Sequence, residues 1–80
     1  MVDLNNFDIN IKTYYRGIKN ITCTVNNNQI LFNNNDKITI DNNNNIYLNN
    51  KLIANDPELT NNDLLELYKI HLINKGYKFI

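Results

Sequence analysis

The side chains that carry covalent and acid–base chemistry are few in this chain of 80 residues: one cysteine, Cys23, one histidine, His71, and no serine. A nucleophile needs a base within hydrogen-bond reach, and that base needs a third group to orient it. Cys23 and His71 are far apart in sequence and would meet only if a helix packs on a sheet. Cys23 alternates with Ile21 and Val25, which places it on a buried face, where a thiol behaves as a small hydrophobe with a raised pKa. His71 borders an apolar helical stripe. It reads as a half-buried side chain rather than a general base or metal ligand, because no second histidine accompanies it. The carboxylates Asp3, Asp8, Asp36, Asp41, Asp56, Glu58, Asp63 and Glu66 fall mostly at turns and helix caps, where a structural role is sufficient. Asp36 to Asn44 intersperses Asp and Asn but lacks the central glycine and closing glutamate of a calcium loop. With Gly17 and Gly76 as the only glycines, there is no glycine-rich phosphate loop. The expectation is a protein that is not an enzyme and holds no metal or cofactor.

The charge balance narrows the partners. Eight basic residues match eight acidic ones, for a formal net charge of zero. Duplex DNA binding rests on Lys and Arg neutralising several phosphates, and a DNA mimic needs an acidic excess; neither is present. One thiol makes no internal disulfide. The N-terminus, Met1 to Asn6, has neither the basic start nor the apolar centre of a signal peptide, and no apolar run approaches the ~20 residues of a membrane span. A cytoplasmic location without membrane contact is expected. Asn20-Ile21-Thr22 is a glycosylation sequon that has no meaning in that compartment. A quarter of the residues are Asn, and the basic residues are seven Lys to one Arg. Asn, Lys, Ile and Tyr have AT-rich codons, so the composition fits an AT-rich bacterium, a phage or mobile element of such a host, or a protist.

The elements follow from periodicity. Eighty residues make one domain with a thin core. Phe7 to Tyr15 alternates apolar and polar residues, as a half-buried strand does. Arg16-Gly17 offers a turn, and Ile21 to Val25 continues as a second strand. Asparagine clusters at 26–28, 33–35, 42–45 and 49–50 bracket the short apolar runs 29–32, 37–40, 46–48 and 51–54. Asn enters the left-handed region more readily than other non-Gly residues, so these clusters predict hairpin turns. Two helix starts are on offer, Asp56-Pro57 and Thr60 with Asp63. Leu64, Leu65, Tyr68 and Leu72 form one apolar stripe, Gly76 suits the left-handed position after a helix, and 77–80 is a short apolar tail able to dock as an edge strand or close the core. The first four to six residues are expected to be loose. The fold class predicted is α+β: an antiparallel β-meander of about five to six short strands packed against one C-terminal helix from about Thr60 to Lys75.

If the alternating Ile, Phe and Leu positions face the helix, Tyr14, Leu31 and Tyr47 face outward, with Lys12, Arg16 and Lys19 near Tyr14. Tyr and Arg are favoured at interface centres, and aromatics with basic neighbours also suit single-stranded bases. Lys12, Tyr14, Arg16 and Tyr47 are therefore the candidate partner-binding residues. A small, motif-free, AT-biased domain fits a phage or mobile-element protein that binds and inhibits a host macromolecule such as a defence nuclease, in the manner of an anti-CRISPR. Alternatives are a small nucleic-acid-binding or regulatory protein, and a subunit of a structural assembly or a homodimer joined through an open strand edge.

Overall fold

A computed structural model describes residues 1–15 and 18–80, without the side chains at 15, 18 and 19. Seven strands form one sheet: β1 (Asn10–Tyr15), β2 (Ile18–Asn26), β3 (Gln29–Phe32), β4 (Lys37–Ile40), β5 (Asn45–Leu48), β6 (Lys51–Asn55) and β7 (Lys78–Phe79). Among the described residues one α-helix, α1 (Asn61–Asn74), lies in the chain between β6 and β7. The order across the sheet is β6-β5-β4-β3-β2-β1-β7, with every pair antiparallel. The first six strands are thus the predicted meander in chain order. The apolar tail adds the seventh strand by docking on β1, with Thr13 opposite Phe79 and Tyr14 opposite Lys78.

Asparagine makes the turns. Among the described residues, the non-glycine positions with positive φ are Asn27 (56°), Asn35 (74°), Asn44 (63°), Asn49 (51°) and Asn50 (71°). Two consecutive positive φ values at Asn49-Asn50 fit the type I′ turn whose twist matches a two-residue hairpin. Other asparagines lengthen the ladder with their side chains. Asn33 accepts from the Thr22 amide (3.2 Å) and donates to the Asn20 carbonyl (2.8 Å). Asn49 accepts from the Lys37 amide at 2.8 Å in the same way. A primary amide copies the donor and acceptor of a peptide group, so each extends pairing past the end of a strand.

Between the two helix starts, the second prevails. Thr60 caps the Asp63 amide (3.2 Å) while the Asp63 carboxylate takes the Thr60 amide (3.0 Å), a reciprocal capping box. Asp56 instead caps a turn, accepting from the Glu58 amide at 2.9 Å. At the far end Gly76 has φ 100°, and the amides of Gly76 and Tyr77 reach back to Ile73 and Leu72 at 3.0 Å each, a Schellman closure that turns the buried Tyr77 ring inward. The opening residues differ from the loose end expected. Leu4–Asn6 form a 3-10 turn, and Asp3 exchanges hydrogen bonds with the Asn61 side chain at 2.7 and 3.0 Å, so the start of α1 anchors the start of the chain.

Ile11, Ile21, Ile30, Phe32, Ile38, Ile46 and Leu48 on one sheet face pack with Leu64, Tyr68 and Leu72 of α1, and Phe7, Ile9 and Tyr77 close the periphery. Leu65, expected in the stripe, is half-buried beside it, as are Cys23, Val25 and Ile40. Val25, Ile30, Ile38 and Leu48 are cross-strand neighbours in one row, so a one-residue slip of any strand would expose its apolar set. Among the described residues no helix is long and apolar enough to cross a membrane.

Candidate functional site

The outward sheet face carries the residues nominated from the sequence, and the strand order separates them. Ile11 and Thr13 are buried, so Lys12 and Tyr14 point outward from β1, with Tyr14 66% exposed. Pairing with β7 sets Lys78, itself exposed, directly across from Tyr14. Tyr14 is thus held by its pairing with β7, at the point where the β1–β2 register shifts between Lys12 and Tyr15, with one lysine two residues back on its own strand and another across the ladder. Arg16 lies outside the described residues, as does the side chain of Lys19. Tyr47 is on the same outward face but on β5, with β2, β3 and β4 between it and β1. Four strand spacings at ~4.8 Å put it about 19 Å from Tyr14, so the two do not share a patch. Half-buried Tyr47 belongs instead to a row of Gln29, Thr39, Tyr47 and Leu52, and its hydroxyl donates toward Asp41 at 3.5 Å.

A second assembly, not foreseen, centres on Asp36 in the β3–β4 turn. Its side chain is 3% exposed, accepts from four donors and lies beside His71. One carboxylate oxygen accepts from Asn49 Nδ2 (2.9 Å) and Lys75 Nζ (3.2 Å); the other accepts from the Tyr68 hydroxyl (2.9 Å) and Asn34 Nδ2 (3.0 Å) and faces His71 Nε2 at 3.4 Å. His71 Nε2 is buried with no hydrogen bond of normal geometry. Burial alone would push Asp36 up. The hydrogen bonds from Asn49, Tyr68 and Lys75 and the Lys75 charge outweigh it, and the carboxyl is held below its ordinary value. Tyr68 moves upward, first through burial and then through the Asp36 carboxylate, while its ring stacks on Phe32 with centroids 4.0 Å apart. This cluster binds the β3–β4 turn, the β5–β6 turn and α1 to one another. Apart from His71 Nε2, the donors and acceptors named here are spent on the protein itself.

Cys23 is half-buried, and burial raises its thiol pKa. Its cross-strand neighbour is Phe32, whose ring stacks on Tyr68, and it is Tyr68 that neighbours His71. Among the described residues no three of His, Cys, Asp and Glu gather as metal ligands would. Asp41, in the segment weighed as a calcium loop, accepts from the Asn45 side chain (3.0 Å) and from the Asn45 (3.0 Å) and Asn43 (2.9 Å) amides, which hold its pKa down and shape the β4–β5 turn.

Beside the cluster an open groove of about 470 Å³ runs between α1 and the β5–β6 hairpin, floored by Leu48, Ile53, Leu67 and Ile70 and rimmed by Asn49, Lys51, His71 and Asn74. Ile70 and Ile73 leave 55% of their surface exposed. Neither they nor Lys78 stood out from the sequence. The apolar residues on both sides of the helix were the available signal for the first two, and the docking of the tail decides the third. Comparison with protein-family models, with curated proteins and with solved structures finds no match for this chain.

Proposed function

We propose that this chain is a non-enzymatic binding protein of the cytoplasm that works by covering a surface of a protein partner, with the outward corner of β1 and β7 as its contact. The observation that carries this is Tyr14, two-thirds exposed yet set opposite Lys78 in the β1–β7 ladder, with Lys12 two residues back on its own strand. A rigid aromatic loses little conformational entropy on binding, and Tyr is a favoured interface anchor. The flanking cations suit an acidic patch on the partner. The four hydrogen bonds that the protein itself supplies to the Asp36 carboxylate support a structural role for that group. The AT-biased composition directs the search for a partner to host macromolecules, a defence nuclease among them.

The test is affinity capture with the intact chain, followed by mass spectrometry, alongside Tyr14→Ala combined with Lys78→Ala. A protein recovered with the native chain and lost with the variant, at unchanged melting temperature, is the expected result. Equal recovery by both removes the corner from consideration. The same geometry, an aromatic between two cations, favours a second function, the stacking of single-stranded bases. Salt separates the two. A single-stranded oligonucleotide complex weakens steeply as salt rises through counterion release, whereas a protein complex of a chain with zero net charge responds mildly.

A further inference from the structure

We propose that α1 packs against the α1 of a second copy of this chain, antiparallel about a two-fold axis near Ile70. The helix carries apolar residues on two opposite sides. Leu64, Tyr68 and Leu72 are buried against the sheet. Ile70 lies about 160° around from Tyr68 at 3.6 residues per turn. With Ile73 it lies on the side away from the sheet, both isoleucines 55% exposed, and half-buried Leu67 joins Ile70 to the groove. The sheet covers only one side of α1, and the two isoleucines share the opposite side with Glu66. The groove continues the apolar surface onto Leu48 and Ile53.

Charge selects the occupant. The N-terminal half of α1 exposes Asp63 and Glu66, the latter 3.8 Å from Lys69, while Lys51 stands on the groove rim beside the C-terminal half. An antiparallel second helix brings its acidic half toward Lys51 of the first copy, and the two-fold repeats the match. The helix dipoles then oppose one another favourably, and zero net charge leaves no overall repulsion between copies. The open edge of β6 is a poorer meeting place. Its pairing is irregular beside Ile46 and Tyr47, and Lys51, opposite buried Leu48, points to the groove side; a bulge and an inward lysine are devices that discourage edge pairing. This apolar patch is smaller than the ~800 Å² per partner of a standard interface, so association is reversible and concentration-dependent.

Sedimentation equilibrium of the intact chain from ~1 μM to ~1 mM tests this, a range that brackets weak association. The mass is expected to rise from one chain to two and stop there. Ile70→Glu should stay a single chain throughout with an unchanged melting curve, because the side chain is outside the core. Leu52→Glu, on the outward face of β6, should dimerise as the native chain does. Glu66→Lys should weaken the dimer about tenfold, and Glu66→Lys combined with Lys51→Glu should recover it. A native chain that remains single at the top concentration, a mass that grows past two, or an Ile70→Glu variant that still pairs overturns the proposal. Loss of the dimer in Leu52→Glu moves the contact to the sheet and overturns it equally, and failure of the charge exchange to recover the dimer overturns the antiparallel arrangement.

Discussion

Asp36→Asn separates two roles that predict opposite results. In a turn written almost wholly in asparagine, Asn at position 36 is harmless if Asp36 serves only the turn. The structure gives the carboxylate more to do. Its two oxygens accept from Asn49, Lys75, Tyr68 and Asn34 within 3.2 Å. An amide offers one oxygen and turns an NH₂ toward at least two of these donors. A buried polar group left unsatisfied costs about 1–3 kcal/mol, so two such losses amount to roughly 3–5 kcal/mol after partial rearrangement. A domain of this size has only ~4–12 kcal/mol of stability, and each kcal/mol moves the midpoint by ~4–8 °C. The expected result in a circular-dichroism melt at pH 7 is a fall of about 15 °C or more, or outright unfolding. Acid supplies a second reading of the same cluster. Because Asp36 is held below its ordinary value, its contribution is present above the usual carboxylate range and is lost as pH falls through the depressed folded value. The gap between native chain and variant should therefore narrow below about pH 4. A variant melting within about 3 °C of the native chain at pH 7 refutes the reasoning, because at ~4–8 °C per kcal/mol it leaves less than one hydrogen bond's worth of loss.

Leu64→Ala or Leu72→Ala should lower stability by about 2–5 kcal/mol in urea denaturation, since both are fully buried between α1 and the sheet. Cys23→Ala and His71→Gln should keep partner capture while losing some stability; capture lost at unchanged melting temperature would assign one of them a functional role. Asn50→Gly should raise the melting temperature, as Asn-Gly is the preferred type I′ pair, while Asn49→Gly should lower it by deleting the bonds to Lys37 and Asp36. On the alkaline side, Tyr68 ionises far more readily when unfolded, so native stability should decline as pH rises above about 10, and Tyr68→Phe should flatten that decline in a pH-resolved melt.

The meander was legible because the period-two runs and the Asn clusters carry the same message: apolar alternation defines the strand faces, and each cluster ends a strand. The helix was legible to within a residue because Thr60, Asp63 and Gly76 mark both ends, leaving Asp56-Pro57 as a competing start that a complete capping box at Thr60 decides. Tyr47 shows the limit. Its outward face follows from alternation, yet its distance from Tyr14 depends on how many strands intervene, which no local pattern encodes. Asp36 was invisible for the same reason. Its donors come from positions 34, 49, 68 and 75, and only tertiary packing places those positions around one carboxylate.

Asparagine's abundance is therefore largely accounted for by architecture, and that has a consequence for where function can reside. Five asparagines take positive φ in a chain with two glycines, and Asn33 and Asn49 stand in for backbone at strand ends. Asn49 does both, and its Nδ2 also reaches Asp36, so one residue turns the hairpin, extends the ladder and ties the sheet to α1. Such a residue is occupied, as are Asp36, Tyr68 and Asp41. The side chains left exposed include Met1, Leu31, Leu52 and Ile80, and two further groups. Tyr14, Lys12 and Lys78 stand on the outward corner, and Ile70 and Ile73 stand on the uncovered side of the helix. Exposing a large aromatic or two isoleucines gains the folded monomer nothing, because burial of apolar surface is its main source of stability. The two surfaces lie on opposite layers of the molecule, one on the outer face of the sheet and one on the outer side of the helix packed against its inner face. A pair of chains joined helix to helix would therefore leave both Tyr14 corners uncovered, and the contact between copies and the contact with a partner would not compete.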